Sequence, residues 1–457
     1  MEIQELKELF SLTDTSKIVE ALRKSSFDVP KWAELEKQYD PLKHKINDTA
    51  IYPPITDENG KDDFKRTSLG LQKLFVDRIT QAMFATHPTL TYSSVDENEN
   101  TTKAIELFEE IYLHRNYIND DNIERGRSQN SACEIVTLWK VIDKPQLIKG
   151  IKSTKKVKHI TYSPDKGYSI FAQTDNDGEI TVISIGYKDE NGIDVLDTYT
   201  DDTYYKFINK DGWQITKQAI PFMPLVHKAS KEPVWGGEAV TKLIEQIEEE
   251  LSFQGLYNKR NSKPTFARYK GKKDPTDKDS TTTEKSTDTR AIINIGEGGF
   301  IKDVTWQGAL ESVKDRRNTL RNAAFEQAQV ADISFNTLIN TNTSAENKEF
   351  LLTDTKAKAI DLGGEWIKFF YEETQLVLRI LADVYSEYRE VFENLTVSTK
   401  INPYSVNTTK ENVEVVEKGG SAMSLETKIK TIGLVSDIQA EAEAIRSEQS
   451  ALANQGL

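Results

Sequence analysis

The chain holds most residue types that chemistry requires, and their spacing decides whether they can act. Its five histidines, His44, His87, His114, His159 and His227, lie far apart and match neither H-x3-H nor HExxH, the spacings that turn two ligands toward one metal. Cys133 is the only cysteine, so no disulfide forms within the chain and no thiolate cluster can hold a metal. It lies in Ser131-Ala132-Cys133-Glu134-Ile135-Val136, where a helical stretch passes into a strand, with nothing nearby to favour the thiolate, and it reads as buried. With 73 acidic residues, carboxylate pairs at helical spacing arise by number alone, and none has a neighbouring histidine to share acid–base work. Asp175-Asn176-Asp177-Gly178 resembles a calcium loop only superficially, because that loop needs its Gly sixth and a Glu twelfth, and here Gly178 is fourth. Gly296-Glu297-Gly298-Gly299 lacks both the GxxxxGK[ST] and the GxGxxG frame and reads as a tight turn. The expectation is no catalytic residue, no metal and no cofactor.

Two basic clusters could meet phosphate: KSTKKVK at 152–158, and Lys270, Lys272 and Lys273. Between 262 and 305, however, nine basic residues meet seven acidic ones, which leaves only +2. Steering of nucleic acid fits this balance better than strong binding.

The elements that must position these residues alternate in texture. Over 69–85, Leu71, Leu74, Phe75, Ile79 and Phe84 keep helical spacing, and His87-Pro88 stops the pattern because a residue before proline avoids the α region. From about 133 to 225, short β-rich runs are broken by Asp175-Asn176-Asp177-Gly178, Glu190-Asn191-Gly192 and Lys210-Asp211-Gly212, which predict hairpins. Helical period returns at Ala239, where Val240, Leu243, Ile244, Ile247 and Leu251 draw one stripe opposite Glu245, Glu248, Glu249 and Glu250. Bounded by Pro264, a helix over about 239–261 spans roughly 33 Å at 1.5 Å per residue. A β-like run at 265–269 is followed by 270–290, which contain no hydrophobic side chain and predict a solvated loop. Ala291-Ile292-Ile293-Asn294-Ile295 and 300–306 read as β-like runs around the glycine turn. A second helix begins near 309 and carries Leu310, Val313, Leu320, Ala324, Phe325 and Ala328 toward Ile333. Two long helices therefore flank one small β module.

Residues 337–347 are mostly polar and carry no charge except Glu346, and predict a loop. The longest helical pattern, about 348–392, sets Trp366, Phe370, Val377, Leu381, Val384, Tyr388 and Phe392 on one broad face. Gly363-Gly364 interrupts it, and paired glycines predict a kink. Past Pro403 the chain is polar until Gly419-Gly420, after which 424–432 and 436–452 read as helices, the latter opened by the capping box Ser436-x-x-Gln439. The fold class is α+β.

The length of 457 residues suggests about three domains, or one elongated chain with several regions. A net charge of −14 argues against tight wrapping of nucleic acid by the chain as a whole, since phosphate binding needs a surplus of Lys and Arg. The single cysteine fits a reducing compartment. MEIQELKELFSL at 1–12 is acidic and amphipathic, without a basic n-region or an apolar h-region, so no signal peptide is expected. Nowhere do 18 apolar residues run consecutively, so no membrane span is expected either.

In order along the chain, these features resemble the portal proteins of tailed bacteriophages, of the kind often found in long-tailed phages. Residues 65–93, ending in ATHPTLTYS, look like that family's helix leading into a short Pro-containing strand. Tyr199-Thr200-Asp201-Asp202, Trp213 and AIPFMPLV at 219–226 are similar to its "vYt" strand and its "iPfvp" segment. IEQIEEELSFQGLYNKRN at 244–261 looks like its first stem helix, and 334–360 resembles the passage toward its kinked long helix. SAMSLETKIKTIGLVSDIQAEAEAIRSE at 421–448 resembles a pattern reading roughly "g.iS.eT.l..l..v.d...E...i..E". The polar loop 270–290 and Ser344-Ala345-Glu346-Asn347-Lys348 depart from the family's usual sequence.

The resemblance implies a ring of about twelve subunits at one capsid vertex, a virion protein assembled in the host cytoplasm. Double-stranded DNA would pass through its axial channel, without sequence specificity, during packaging and ejection. The regions carry over as wing (1–238 and 350–412), stem helices (239–263 and 306–336), clip (264–305), tunnel loop (337–349) and crown (413–457). Asn340, Thr341, Asn342, Thr343 and Ser344 of the tunnel loop would face the DNA. Phe266, Arg268, Ile293 and Ile295 of the clip would dock terminase and later a head–tail adaptor, with the major capsid protein a further partner. Gly363 and Gly364 would form the helix kink. From the residues alone two other readings stay open: a virion scaffold or adaptor without a channel, and a metal-dependent nuclease that uses some of the many carboxylates.

Overall fold

The computed structural model describes residues 2–56, 60–95, 98–261, 266–269, 283–285, 291–295, 307–332, 352–403, 409–433 and 438–455. The glycine turn at 296–299, the run at 300–306, the polar loop at 337–347 and Ser436 lie outside the described residues.

Three short helices open the chain: α1 (Ile3–Phe10), α2 (Thr15–Leu22) and α3 (Trp32–Tyr39). They are followed by α4 (Leu71–Phe84), strand β1 (Thr89–Ser93), α5 (Glu99–Glu109) running into a π-helical turn (Glu110–Arg115), and α6 (Ile118–Ala132). Gly126 lets α6 cross α4 closely: a Cβ there would stand 2.8 Å from Phe84 Cε2 and 2.9 Å from Thr80 Cγ2. Cys133 ends α6 in a left-handed conformation (φ 65°) and is buried, with its thiol pushed up to about 12 by that burial.

The β-rich stretch then forms as its turn signals require. Strands β2 (Glu134–Ile148) and β3 (Ile151–Tyr162) make a long hairpin, turned at Lys149 and Gly150, both with positive φ (45° and 86°) as a tight two-residue turn demands. Strands β4 (Ser169–Thr174), β5 (Ile180–Lys188), β6 (Asp194–Tyr199), β7 (Thr203–Asn209) and β8 (Trp213–Ala219) form an antiparallel meander in chain order. The three expected turns lie between β4 and β5, β5 and β6, and β7 and β8. Strand β9 (Leu225–Ala229) pairs with β2, giving the order β3-β2-β9.

Helix α7 (Gly237–Asn261) leads to β10 (Phe266–Tyr269), β11 (Thr283–Lys285), β12 (Ala291–Ile295) and α8 (Gln307–Gln327). Strand β11 corrects the expectation that 270–290 is loop throughout. It pairs antiparallel with β12 through backbone groups that every residue carries, so hydrophobicity gave no sign of it. Helix α8 stops at Gln327 rather than near 333. Gln329 takes φ 52° and turns the chain while Ala328 and Val330 stay in the core, so apolar spacing outlasts the helix.

The long helix α9 (Thr353–Val384) runs through Gly363 and Gly364 as one element. It ends at Val384, short of the expected 392. Tyr385 leaves the helix at φ −119°, ψ 76°, and a 3-10 turn leads into α10 (Arg389–Asn394), yet Phe392 and Leu395 still pack in the core that holds Leu381. Strand β13 (Thr396–Lys400) returns to pair with β1. Helices α11 (Thr409–Gly419), α12 (Leu425–Ile432) and α13 (Ile438–Gln455) close the chain. α11 lies where only polar chain was expected. Ser424 caps α12, accepting from the Thr427 amide at 3.2 Å.

At 1.5 Å per residue α9 is about 48 Å long, and it joins two cores. Its first half and middle supply Ala359, Trp366, Phe369 and Phe370 to a core shared with α4, the start of α7 and the end of α8. Its second half supplies Val377, Leu378 and Leu381 to one shared with α5, the π turn and the β2–β3 hairpin. The meander is covered on both faces, Val182 packing toward α1 and α2, Ile183 and Ile185 toward β2 and β9.

Candidate functional site

Helices α7 and α8 pack as an antiparallel pair: Gly236 lies beside the Gln327 carbonyl, and further along Arg316 pairs with Glu250 at 2.9 Å while Arg317 donates to Gln254 at 3.1 Å. Strands β10, β11 and β12 lie between them in the chain. β10 and β12 run parallel, with Phe266 opposite Ile292, Ala267 opposite Ile293, Arg268 opposite Asn294 and Tyr269 opposite Ile295. With β12 central, β10 and β11 form the edges of this sheet. These short strands pair with one another within one chain.

The end of α8 is held by three other elements. Lys358, on α9, donates to the carbonyls of Val234 (2.6 Å) and Ala328 (2.7 Å), tying the approach to α7 to the exit from α8. Burial pulls this ammonium down to about 8, with Glu232 opposing. The Ala331 amide donates to Thr355 Oγ1 at 2.8 Å, and Arg78 of α4 donates to the Ala331 carbonyl. Arg321 grips Asp332 with two hydrogen bonds, at 2.9 and 3.1 Å, and stacks on Phe325. Asn340, Thr341, Asn342, Thr343 and Ser344 lie outside the described residues. The sequence pointed to none of Lys358, Arg78, Thr355 and Arg321 as a group, because most of their partners are far along the chain or are backbone atoms.

Two buried carboxylates fix the helices above this point. Glu373, on α9, accepts four hydrogen bonds: Oε1 from Arg125 Nη2 (2.8 Å) and Trp139 Nε1 (2.9 Å), Oε2 from Arg125 Nη1 (3.0 Å) and the Tyr112 hydroxyl (2.9 Å). This ties α9 to α6, β2 and the π turn. Glu248, on α7, was expected on a solvated face, but the segment before α4 covers it. Its Oε1 meets His44 Nδ1 at 2.7 Å and the Leu69 amide at 2.6 Å. His44 Nε2 donates to the Gln38 carbonyl at 2.8 Å. Burial disfavours the imidazolium, but the bond to and charge of Glu248, with the Gln38 carbonyl, outweigh it and raise the pKa.

Two more histidine–carboxylate pairs form, His227–Glu134 at 2.7 Å and His159–Asp121 at 2.6 Å. The sequence showed no histidine beside a carboxylate pair because the closest of these partners is 38 residues away. A cleft of about 1000 Å³ opens beside α9 and β9, with Lys228 paired to Glu365 at 2.6 Å and Arg379 over Phe222 at 4.3 Å. Lys368 on the same cleft pairs with Glu372 at 3.8 Å. Among the described residues no group of three or more His, Cys, Asp or Glu side chains is placed to hold a metal, and no helix is long and apolar enough to cross a membrane.

The family model for the phage portal protein, SPP1 Gp6-like, matches residues 24–455. The chain belongs to this family of phage portal proteins. No curated protein matches it. A portal protein is a structural, non-enzymatic component of the phage and works in an oligomeric assembly on the capsid. In this portal protein the buried charges brace elements of one chain against each other, Glu373 tying α9 to α6, β2 and the π turn, and Glu248 tying α7 to the segment before α4.

Proposed function

We propose that the chain forms a ring of about twelve copies at one capsid vertex, whose axial channel passes double-stranded DNA during packaging and ejection. The observation that carries this reading is the family match over 24–455, and the α7–α8 strut pair around its small sheet is compatible with it. In this reading 1–238 and 350–412 form the wing, α7 and α8 lie in the stem, 264–305 form the clip, and 413–457 form the crown. Assembly takes place in the host cytoplasm, and the ring then resides in the virion against the major capsid protein. Twelve subunits of charge −14 make an acidic wall that repels DNA while a separate motor drives it, which suits a conduit better than a sequence reader.

The loop 337–349 is the collar around the DNA. Asn340, Thr341, Asn342, Thr343 and Ser344 would offer exchangeable hydrogen bonds to phosphate without fixed ion pairs. Deleting 340–344 is expected to leave ring assembly intact and to reduce the DNA packaged or retained; virions with normal DNA content would contradict the collar.

The clip sheet is the docking site for terminase and afterwards for a head–tail adaptor. Among the described residues its edges β10 and β11 pair with no further strand, and a sheet this small gains stability from extension by a neighbour. Replacing Ile293 and Ile295 by Asp, beside Phe266 and Arg268, is expected to abolish terminase binding; unchanged binding and an unchanged oligomer would remove the clip from this role.

A further inference from the structure

The β2–β3 hairpin carries a concentration of positive charge that the channel reading does not use. Over 140–158 there are seven lysines and one aspartate, in a chain whose acidic residues outnumber its basic ones. The structure shows how they are laid out. Residues 134–139 of β2 are buried, with Val136 and Leu138 in the core shared with the meander; beyond Leu138 most of the strand is exposed. The face that is apolar where the meander covers it continues outward as lysine: alternation puts Lys140 and Ile142 on it, pairing adds Lys158 opposite Lys140 and Lys156 opposite Ile142, and Lys144, in the register shift after Asp143, lies close enough to act on Lys156.

Like charges directly opposite each other weaken a hairpin, so this arrangement costs stability. The charges acting on Lys156 are Lys158, Lys144 and Arg115, all cations. Among the described residues none of Lys140, Lys144, Lys156 and Lys158 is in an ion pair, whereas Lys149 and Arg115, at the edge, have Glu106 and Glu110. Lysines kept only for solubility would be interspersed with carboxylates, as on the rest of this surface.

We propose that this lysine face is a contact site for the phosphate backbone of duplex DNA, separate from the loop 337–349. Four flexible ammonium groups on one strand pair act as point charges that hold a polyanion without reading its bases. An acidic protein surface fits less well. Protein interfaces are depleted in Lys and built around aromatic and Arg anchors, and the one arginine nearby is committed to Glu110 and the Leu147 carbonyl. Because the rest of the chain repels DNA, the contact is local and strongly salt-dependent.

The test is fluorescence anisotropy of a labelled 30-base-pair duplex with the purified full-length chain between 50 and 200 mM NaCl. Engagement of four phosphates gives a log–log slope of about −3.6, a loss of affinity on the order of 150-fold over that range. Lys156→Gln with Lys158→Gln should flatten the slope by about 2 per subunit engaged, with a melting temperature no lower than that of the wild type, since the repulsion between Lys158 and Lys140 is relieved. Deleting 340–344 should leave binding as it is, and loss of binding in that variant would assign the DNA to the loop instead. Unaltered affinity in the double lysine variant, or a labelled poly-glutamate bound as tightly as the duplex, would overturn the proposal, the latter in favour of an acidic protein partner.

Discussion

Glu373 answers four donors with two oxygens, so neutralising it leaves the Arg125 guanidinium buried without a counter-charge. Glu373→Gln is expected to cost about 3–5 kcal/mol, read from urea unfolding, and a loss below about 1 kcal/mol would mean that water or another carboxylate takes its place. His44 gives a pH-dependent counterpart. Its pKa in the fold is raised above the ordinary 6.5, so the stability it contributes is complete below about pH 6.5 and is lost as pH rises through the higher folded value. The stability difference between the wild type and His44→Gln should therefore be larger at pH 6 than at pH 9. A difference that grew with pH would mean the imidazole is buried neutral. None of this was legible in the sequence. Glu248 sits among four glutamates that look alike, and what separates it, a histidine 204 residues away, is a product of the fold. Cys133 was legible because its reading needed only its own neighbourhood.

Elements were easier to read where one face is apolar and the other polar. Helices α4 and α7 and the hairpins of the meander follow from periodicity and turn residues, signals confined to a few residues. Ends were harder. α9 stops at Val384 and α8 at Gln327 while apolar side chains continue, because packing persists across a change of backbone direction. β11 and α11 escaped because backbone pairing and polar helices leave little hydrophobic trace. Two substitutions test element packing. Gly126→Ala places a methyl group 2.8 Å from Phe84 and should destabilise the α4–α6 crossing by about 1–3 kcal/mol in the same unfolding assay; a neutral result would mean the crossing yields freely. Gly364→Ala meets open space, so helix propensity alone should raise stability by about 1 kcal/mol. If α9 bends at Gly363-Gly364 in use, the same variant should package less DNA despite being more stable, and undiminished packaging would argue against a working bend there.

The whole molecule is braced along α9, which joins two cores and, through Lys358 and Thr355, the end of α8. Membership of the portal family was legible because a family leaves its motifs in order, and the family match covers most of the chain. How copies meet was not legible, since an apolar stripe does not name the neighbour that covers it. The central claim is a closed ring around a DNA-wide hole. It is tested most directly by negative-stain electron microscopy of the purified chain, with native mass from light scattering on the same sample. Rings with a central opening wide enough for duplex DNA and a mass near twelve times 51.9 kDa are the expected result. A compact dimer with no opening would contradict the account.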